Sequence, residues 1–244
     1  MALILLASLL GVLPIALWLV FFLWQDVKKP EPTRWLLLVF LLGILLTPLV
    51  YLIETLFSKI TGINLSGNLS FFTLTWYYLG IAAIEELSKF FATALILKKN
   101  KYFDEAIDAM IYLIVLALGF GLVENFLAVT QDLTTSSWLM IALETLSLRF
   151  IGANLIHALC SGLIGFFWAL TLVKGKKQYL FTGLILGILL HTSFNIAIIR
   201  LSESYGSLAL YLISFTLFLI TIILLWIFDI IKQIKKPIKY SNLK

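Results

Sequence analysis

His157 and His191, the only two histidines of the 244-residue chain, both sit inside long apolar runs. Glu85, Glu86, Lys89 and Glu124 lie inside other such runs. A charged side chain at the centre of a membrane helix costs roughly 2.5–3.5 kcal/mol on insertion scales, so intramembrane charges are kept for a purpose. We read these six residues as one site facing the interior of a helix bundle. In Glu85-Glu86-Leu87-Ser88-Lys89, Lys89 shares a helix face with Glu85 four residues back and reaches Glu86 at three. One carboxylate can then stay ionised beside the ammonium while its neighbour is pushed toward protonation, a pairing suited to general acid/base work. A buried ion pair with a surplus carboxyl is the plainer reading of that segment alone.

The other residues sit on small-residue seams. Ala117, Gly121, Glu124 and Ala128 fall on one helix face, as do His157, Ser161, Gly165 and Ala169 on the next run and Gly183, Gly187, His191 and Asn195 on the one after. Such stripes let helices approach closely, so each imidazole should face protein. Asn195, one turn from His191, is placed to orient the ring or to bind a substrate carbonyl. By itself Glu124 is as readily a partner for Lys89. Three carboxylates against one ammonium leave a charge that a divalent cation held by Glu85, Glu124, His157 and His191 would neutralise, and these ligands suit zinc. Shared protons would serve equally, leaving a glutamate-type site with no cofactor.

The elements that must position these groups follow from composition. Hydrophobic residues make up 61% and charged residues 13%, far from the soluble average of about 25% charged. The fold class is therefore all-α, a polytopic transmembrane bundle in the cell membrane forming one integral domain over 1–244, with the site-bearing spans at about 71–199. Seven runs are long enough to cross: 2–24, 35–57, 71–97, 106–129, 151–173, 180–199 and 208–231. The first has no basic leader or small-residue cleavage site and is read as a retained span. The longest connector, 131–149, has an apolar 138–143 segment too short to span, which either lies in the interface or extends the fifth helix. A single cysteine, Cys160, excludes an internal disulfide framework.

The net charge of +5 comes from basic residues that punctuate apolar runs, so the bilayer is the partner and nucleic acid is not. Lys28, Lys29 and Arg34 follow the first span; Lys98, Lys99 and Lys101 the third; Lys174, Lys176 and Lys177 the fifth; Lys232, Lys235, Lys236, Lys239 and Lys244 the last. The alternate connectors hold only Lys59, Arg149 and Arg200. The expected orientation is carboxyl terminus in the cytoplasm and amino terminus outside. At about 1.5 Å per residue from the cytoplasmic ends, Glu85 comes out about 18 Å deep, His191 about 17 Å, Glu124 about 22 Å and His157 about 24 Å. These depths converge just beyond the midplane, toward the extracytoplasmic face.

Glu85-Glu86-x-x-Lys89, Phe120-x-x-x-Glu124, His157-x-x-x-Ser161-Gly162 and His191-x-x-x-Asn195, in this order on four spans, resemble the PrsW intramembrane proteases, relatives of the CAAX prenyl protease group. Asp104-Glu105-x-x-Asp108 is similar to another PrsW segment, although Ala106 and Ala109 replace the usual Pro and Gly. CAAX-type relatives commonly have Arg at the Lys89 position and His at the Glu124 position, so the chain looks closer to PrsW. The resemblance covers about 76–198. It implies hydrolysis of a peptide bond in a membrane-anchored protein, an anti-sigma factor in regulated proteolysis, and it implies that Glu85, Glu86, Glu124, His157 and His191 are catalytic. The cut is expected near the extracytoplasmic face.

Other intramembrane chemistries lack their signatures: there is no H-E-x-x-H, and no span carries Tyr-Asp or Gly-x-Gly-Asp. Two readings from other classes stand beside the peptidase. A proton- or metal-coupled transporter would also use Glu, His and Lys in a membrane, but the chain shows no internal repeat. A non-catalytic scaffold would not need carboxylates and imidazoles together.

Overall fold

The computed structural model describes residues 2–63, 69–98, 100–130, 137–205 and 207–234. Lys99, Lys235, Lys236, Lys239 and Lys244 of the charge pattern, and residues 131–136 of the long connector, lie outside the described residues. The elements are α1 (Ala2–Leu23), a 3-10 turn (Trp24–Asp26), α2 (Thr33–Thr61), α3 (Phe71–Leu97), α4 (Asp108–Thr130), α5 (Trp138–Ile151), α6 (Ala153–Lys174), α7 (Gln178–Tyr205) and α8 (Ser207–Ile231). Among the described residues there is no strand, as the composition requires. Local signals set the ends. Ser70 caps α3 by accepting from the Thr73 N–H at 3.1 Å. Past Lys174, Gly175 takes the left-handed conformation at φ 70° that closes α6.

Among the described residues, six segments are long and apolar enough to cross a membrane, with α5 and α6 counting as one. The seventh expected span, α3, has 27 residues and packs between α2 and α7, but its middle carries Glu85, Glu86 and Lys89. The chain is a multi-pass membrane protein. Its outer surface matches that setting: Leu45, Val20, Phe215 and Trp226 are exposed large apolar side chains of the kind that face lipid.

α4 is the axis of the bundle. It packs against α1, α2, α3, α5 and α6, and every residue from Asp108 to Gly121 is buried. A helix apolar all round is one enclosed on every side. Enclosure this tight needs missing side chains. A Cβ on Gly43 of α2 would stand 2.2 Å from the Leu116 carbonyl oxygen of α4, and one on Gly119 would stand 2.2 Å from that of Phe40. The two backbones touch.

The 138–143 segment belongs to a longer helix than the sequence suggested. α5 runs 14 residues and ends at Gly152, whose φ of −97° and ψ of −94° break the helix before α6 starts. α5 is therefore a separate helix, not an extension of the fifth span. The Trp138 indole donates to the Val129 carbonyl at 2.7 Å and the Trp18 indole to that of Phe150 at 2.8 Å, holding α5 at both ends.

The basic connectors gather on one face. Lys29 pairs with Asp104 at 2.9 Å, Arg34 donates to the Tyr102 hydroxyl at 3.4 Å, and Lys232 donates to Gln25 at 3.2 Å. At the opposite face Arg200 donates to the Leu69 carbonyl at 2.6 Å. Replacing Gly43 with Ala puts a methyl against backbone that cannot rotate away, so Gly43→Ala should cost about 1–3 kcal/mol. Thermal denaturation in detergent checks it against Gly11→Ala, whose Cβ meets nothing closer than 3.6 Å and should leave the midpoint unchanged.

Candidate active site

Helix periodicity puts Glu85, Glu86 and Lys89 on the buried face of α3, and all three are at most 5% exposed. The Lys89 ammonium donates to Glu85 Oε2 at 3.0 Å and Glu86 Oε1 at 2.9 Å, and it meets His157 Nδ1 at 2.9 Å. The Phe120 ring of α4 lies 4.5 Å from Nζ and adds a cation–π contact. An ammonium only donates, so His157 Nδ1 accepts and its proton sits on Nε2. Nε2 then donates to Glu124 Oε2 at 2.8 Å.

On α7, His191 Nδ1 lies 2.9 Å from Glu86 Oε1, which as a carboxylate accepts the imidazole proton. Nε2 of His191 is left with a lone pair and lies 4.0 Å from Glu85 Oε1. The two imidazoles meet edge to face with ring centroids 5.1 Å apart.

All six residues taken from the runs therefore come together, from α3, α4, α6 and α7. One ligand atom each from Glu85, Glu86, His157 and His191 lies within 4.8 Å of the other three, a candidate divalent-metal cluster. Glu86, not Glu124, is the second carboxylate of that group; Glu124 instead holds the far nitrogen of His157. Asn195 lines a cleft of about 500 Å³ with Tyr78, Arg149, Gly152 and Phe194, while the Nδ1 of His191 is taken up by Glu86.

Three participants were missed from the sequence. Arg149, at the last turn of α5, donates to Glu124 Oε2 at 2.8 Å and to Asn125 Oδ1 at 2.6 Å. In the sequence it stands out only as a topology marker; its position beside the start of a site-bearing span is the available signal. Glu54 of α2 lies within electrostatic range of Glu85 and Glu124, with a buried oxygen that has no hydrogen-bond partner. As the one acidic residue of the second run it was visible. Asn154 is fully buried with neither amide atom bonded, and its Oδ1 faces the Gly121 position beside His157. Glu86 Oε2 and Ser161 Oγ are also buried and unpartnered. Unbonded polar atoms clustered round a charged centre are free to bond water or a polar ligand.

Lys89 is 0% exposed and carries the charge that makes the carboxylates tolerable. Lys89→Met should cost about 3–5 kcal/mol, the range for breaking a buried pair from one side. Lys89→Arg should retain much of that stability. Melting midpoints of the purified variants decide it, and a Met variant as stable as the parent would refute the role.

The PrsW family intramembrane metalloprotease model matches residues 31–226. The chain is 30% identical to Protease PrsW of Geobacillus kaustophilus over 188 residues, which cover 76% of each chain. It is 27% identical to Protease PrsW of Clostridioides difficile over 77% of this chain and 76% of the other. It is 26% identical to that of Bacillus subtilis over 79% and 83%. No solved structure matches it.

Proposed function

The chain belongs to the PrsW family of intramembrane proteases, and on that footing we propose that it hydrolyses a peptide bond of a membrane-anchored protein at the Glu85–His191 centre. The observation that carries this reading is the convergence of two carboxylates and two imidazoles from three helices within 4.8 Å. A transporter would need such groups strung along a path; here they close on one point.

Glu85 is the general base. It is 5% exposed against 0% for Glu86, and one of its oxygens is held by Lys89 while the other lies toward His191 Nε2. Its carboxylate is the group placed to accept a proton from the attacking water. With no ion bound, as in a glutamate-type site, His191, whose Nε2 lone pair is then uncommitted, carries that proton to the leaving amine. Glu86 orients His191 through Nδ1, and Glu124 with Arg149 orients His157.

The family's metal has residues that fit it. Two glutamates and two histidines are zinc-type donors, and buried Glu86 Oε2 has no other partner. Glu85, Glu86, His157 and His191 would hold the ion, with Lys89 giving up bonds it now makes to three of them. When bound, the ion would serve as a Lewis acid toward the scissile carbonyl.

His157 lies four residues into α6 and Glu124 six residues from the end of α4. By about 1.5 Å per residue the centre is nearer the α5 face than the face of basic connectors. The positive-inside reading makes the α5 face extracytoplasmic. The cut is accordingly assigned near that face, with the cleft beside Arg149 and Asn195 as the approach. An anti-sigma factor is the substrate class implied by likeness to PrsW enzymes.

Glu85→Gln and His191→Ala should each lower cleavage by about a thousand-fold or more, within the range for losing a proton-transfer group or charge stabiliser. Membrane insertion should be unaffected. Membrane proteomes with and without the protein supply the substrate on which to measure it. Metal analysis should find about one zinc equivalent, lost in His191→Ala. Full activity after chelation would exclude the metal, and full activity in both variants would exclude the site.

A further inference from the structure

The Asp104-Glu105-x-x-Asp108 segment takes no part in the chemistry above, yet its last carboxylate is fully buried. Asp108 Oδ2 accepts the backbone N–H groups of Asp104 at 2.9 Å and Glu105 at 2.8 Å, closing the turn into α4. Its other oxygen, Oδ1, is buried and accepts no N–H or hydroxyl, while the Asp108 and Glu31 carboxyls face each other at hydrogen-bond range. Asp26, at the end of the 3-10 turn, is 6% exposed, and its Oδ2 is buried and unpartnered too. Glu31, in the 27–32 connector, accepts from the Tyr112 hydroxyl, which accepts from Asn100 Nδ2 at 2.9 Å. One oxygen from each of Asp26, Glu31 and Asp108 lies within 4.8 Å of the other two.

Three buried carboxylates at such spacing need a positive charge or protons between them. The neighbouring ammoniums are committed elsewhere. Lys29 pairs with Asp104 at 2.9 Å and Glu105 at 3.4 Å; Lys232 pairs with Asp229 at 3.4 Å and donates to Gln25. Among the described residues, neither makes a hydrogen bond or ion pair with Asp26, Glu31 or Asp108. A cleft of about 620 Å³, lined by Asp26, Lys29, Glu105, Asp229 and Lys232, leads in from the face of basic connectors.

We propose that Asp26, Glu31 and Asp108 bind a hard divalent cation, Mg²⁺ or Ca²⁺, which staples the α1–α2 turn to the start of α4. The donors are oxygen only, with no imidazole or thiolate, which favours these ions over the zinc class suited to the protease centre. The cleft reaches the group at Asp26, with room there for the waters such ions retain; Glu31 and Asp108 are not part of its lining. The two unpartnered oxygens belong to different segments, so the ion ties the amino-terminal hairpin to the central helix. This staple lies at the other end of α4 from Glu124, sixteen residues away.

The test uses full-length protein in detergent, stripped with EDTA. Tb³⁺ serves as a luminescent probe sensitised by Tyr112 and Trp24, and Mg²⁺ and Ca²⁺ are added as separate competitors. Saturable Tb³⁺ emission should be displaced by one of them, and that ion should raise the melting midpoint by several degrees. Whichever competes at lower concentration identifies the occupant. Both responses should persist in His157→Ala/His191→Ala and be lost in Asp26→Asn and Glu31→Gln. Asp26→Asn is the safer variant, since Oδ2 makes no hydrogen bond for the amide to lose. The readout is the response to ion, so any stabilisation from neutralising a carboxylate does not enter it. No response in the stripped parent would overturn the proposal, as would an undiminished response in Asp26→Asn.

Discussion

The Lys89 ammonium is the interaction on which the rest of the structure depends. It is withdrawn from solvent and bonded to Glu85, Glu86 and His157. Stripping water from such a charge costs several kcal/mol, recovered only if its bonds are short and its partners satisfied in turn. That demand propagates outward. His157 must accept at Nδ1, so it must donate at Nε2, and Glu124 is there to receive it. Glu86 must balance Lys89 while accepting from His191. A single buried cation therefore dictates the tautomer of one imidazole and the orientation of the other, and links α3 to α4, α6 and α7.

Bonds of about 2.9 Å between side chains on four helices leave little freedom for the helix axes. The small residues meet that requirement. Gly165 of α6 would carry a Cβ 2.6 Å from Met110 Cα of α4, and Gly187 of α7 one 2.6 Å from Ile164 Cγ1 of α6. These contacts lie on the seams that also carry His157 and His191, one or two turns away. Packing and polar geometry are thus specified on the same helix faces, and a bulkier residue on a seam would lengthen the hydrogen bonds as well as strain the core.

This explains what was legible in the sequence. The i, i+3 and i+4 spacing of Glu85, Glu86 and Lys89 is a local property, so their mutual bonds could be written down from the α3 segment alone. The seams predicted which faces of α6 and α7 turn inward, because small residues and polar residues share a period there, whereas α4 is enclosed on every side as far as Gly121 and past it buries Asn125 and Val129 rather than the Glu124–Ala128 stripe. Arg149 escaped because its partner is 25 residues distant and the break at Gly152, which turns α5 back onto α4, has no periodic signature. Glu54 escaped because only the packing of α2 against its neighbours brings it near the centre, whereas Asn154, three residues before His157 on α6, stands one turn from a site residue and was open to the same face argument. The candidate metal cluster pairs Glu85 with Glu86 where the sequence reading paired it with Glu124, because helix spacing fixes neighbours along α3 but not which carboxylate meets which imidazole across helices.

Arg149 also changes the electrostatic account. Glu85, Glu86 and Glu124 against Lys89 alone would leave two surplus negative charges; Arg149 on Glu124 cancels one of them. Lys89 has no exposure whereas the Arg149 side chain is 20% exposed, so the two cations do different work. The buried one holds the ion-free centre together. The exposed one sits on a short helix at the rim, where a charge pair is weaker and more easily exchanged for water or a polar substrate group. Glu124 is thereby joined on one side to the buried network and on the other to a replaceable partner. The α5 helix, anchored by Trp138 and closed by Gly152, presents Arg149 at the cleft, so the more exposed of the two cations lies at the rim of the centre.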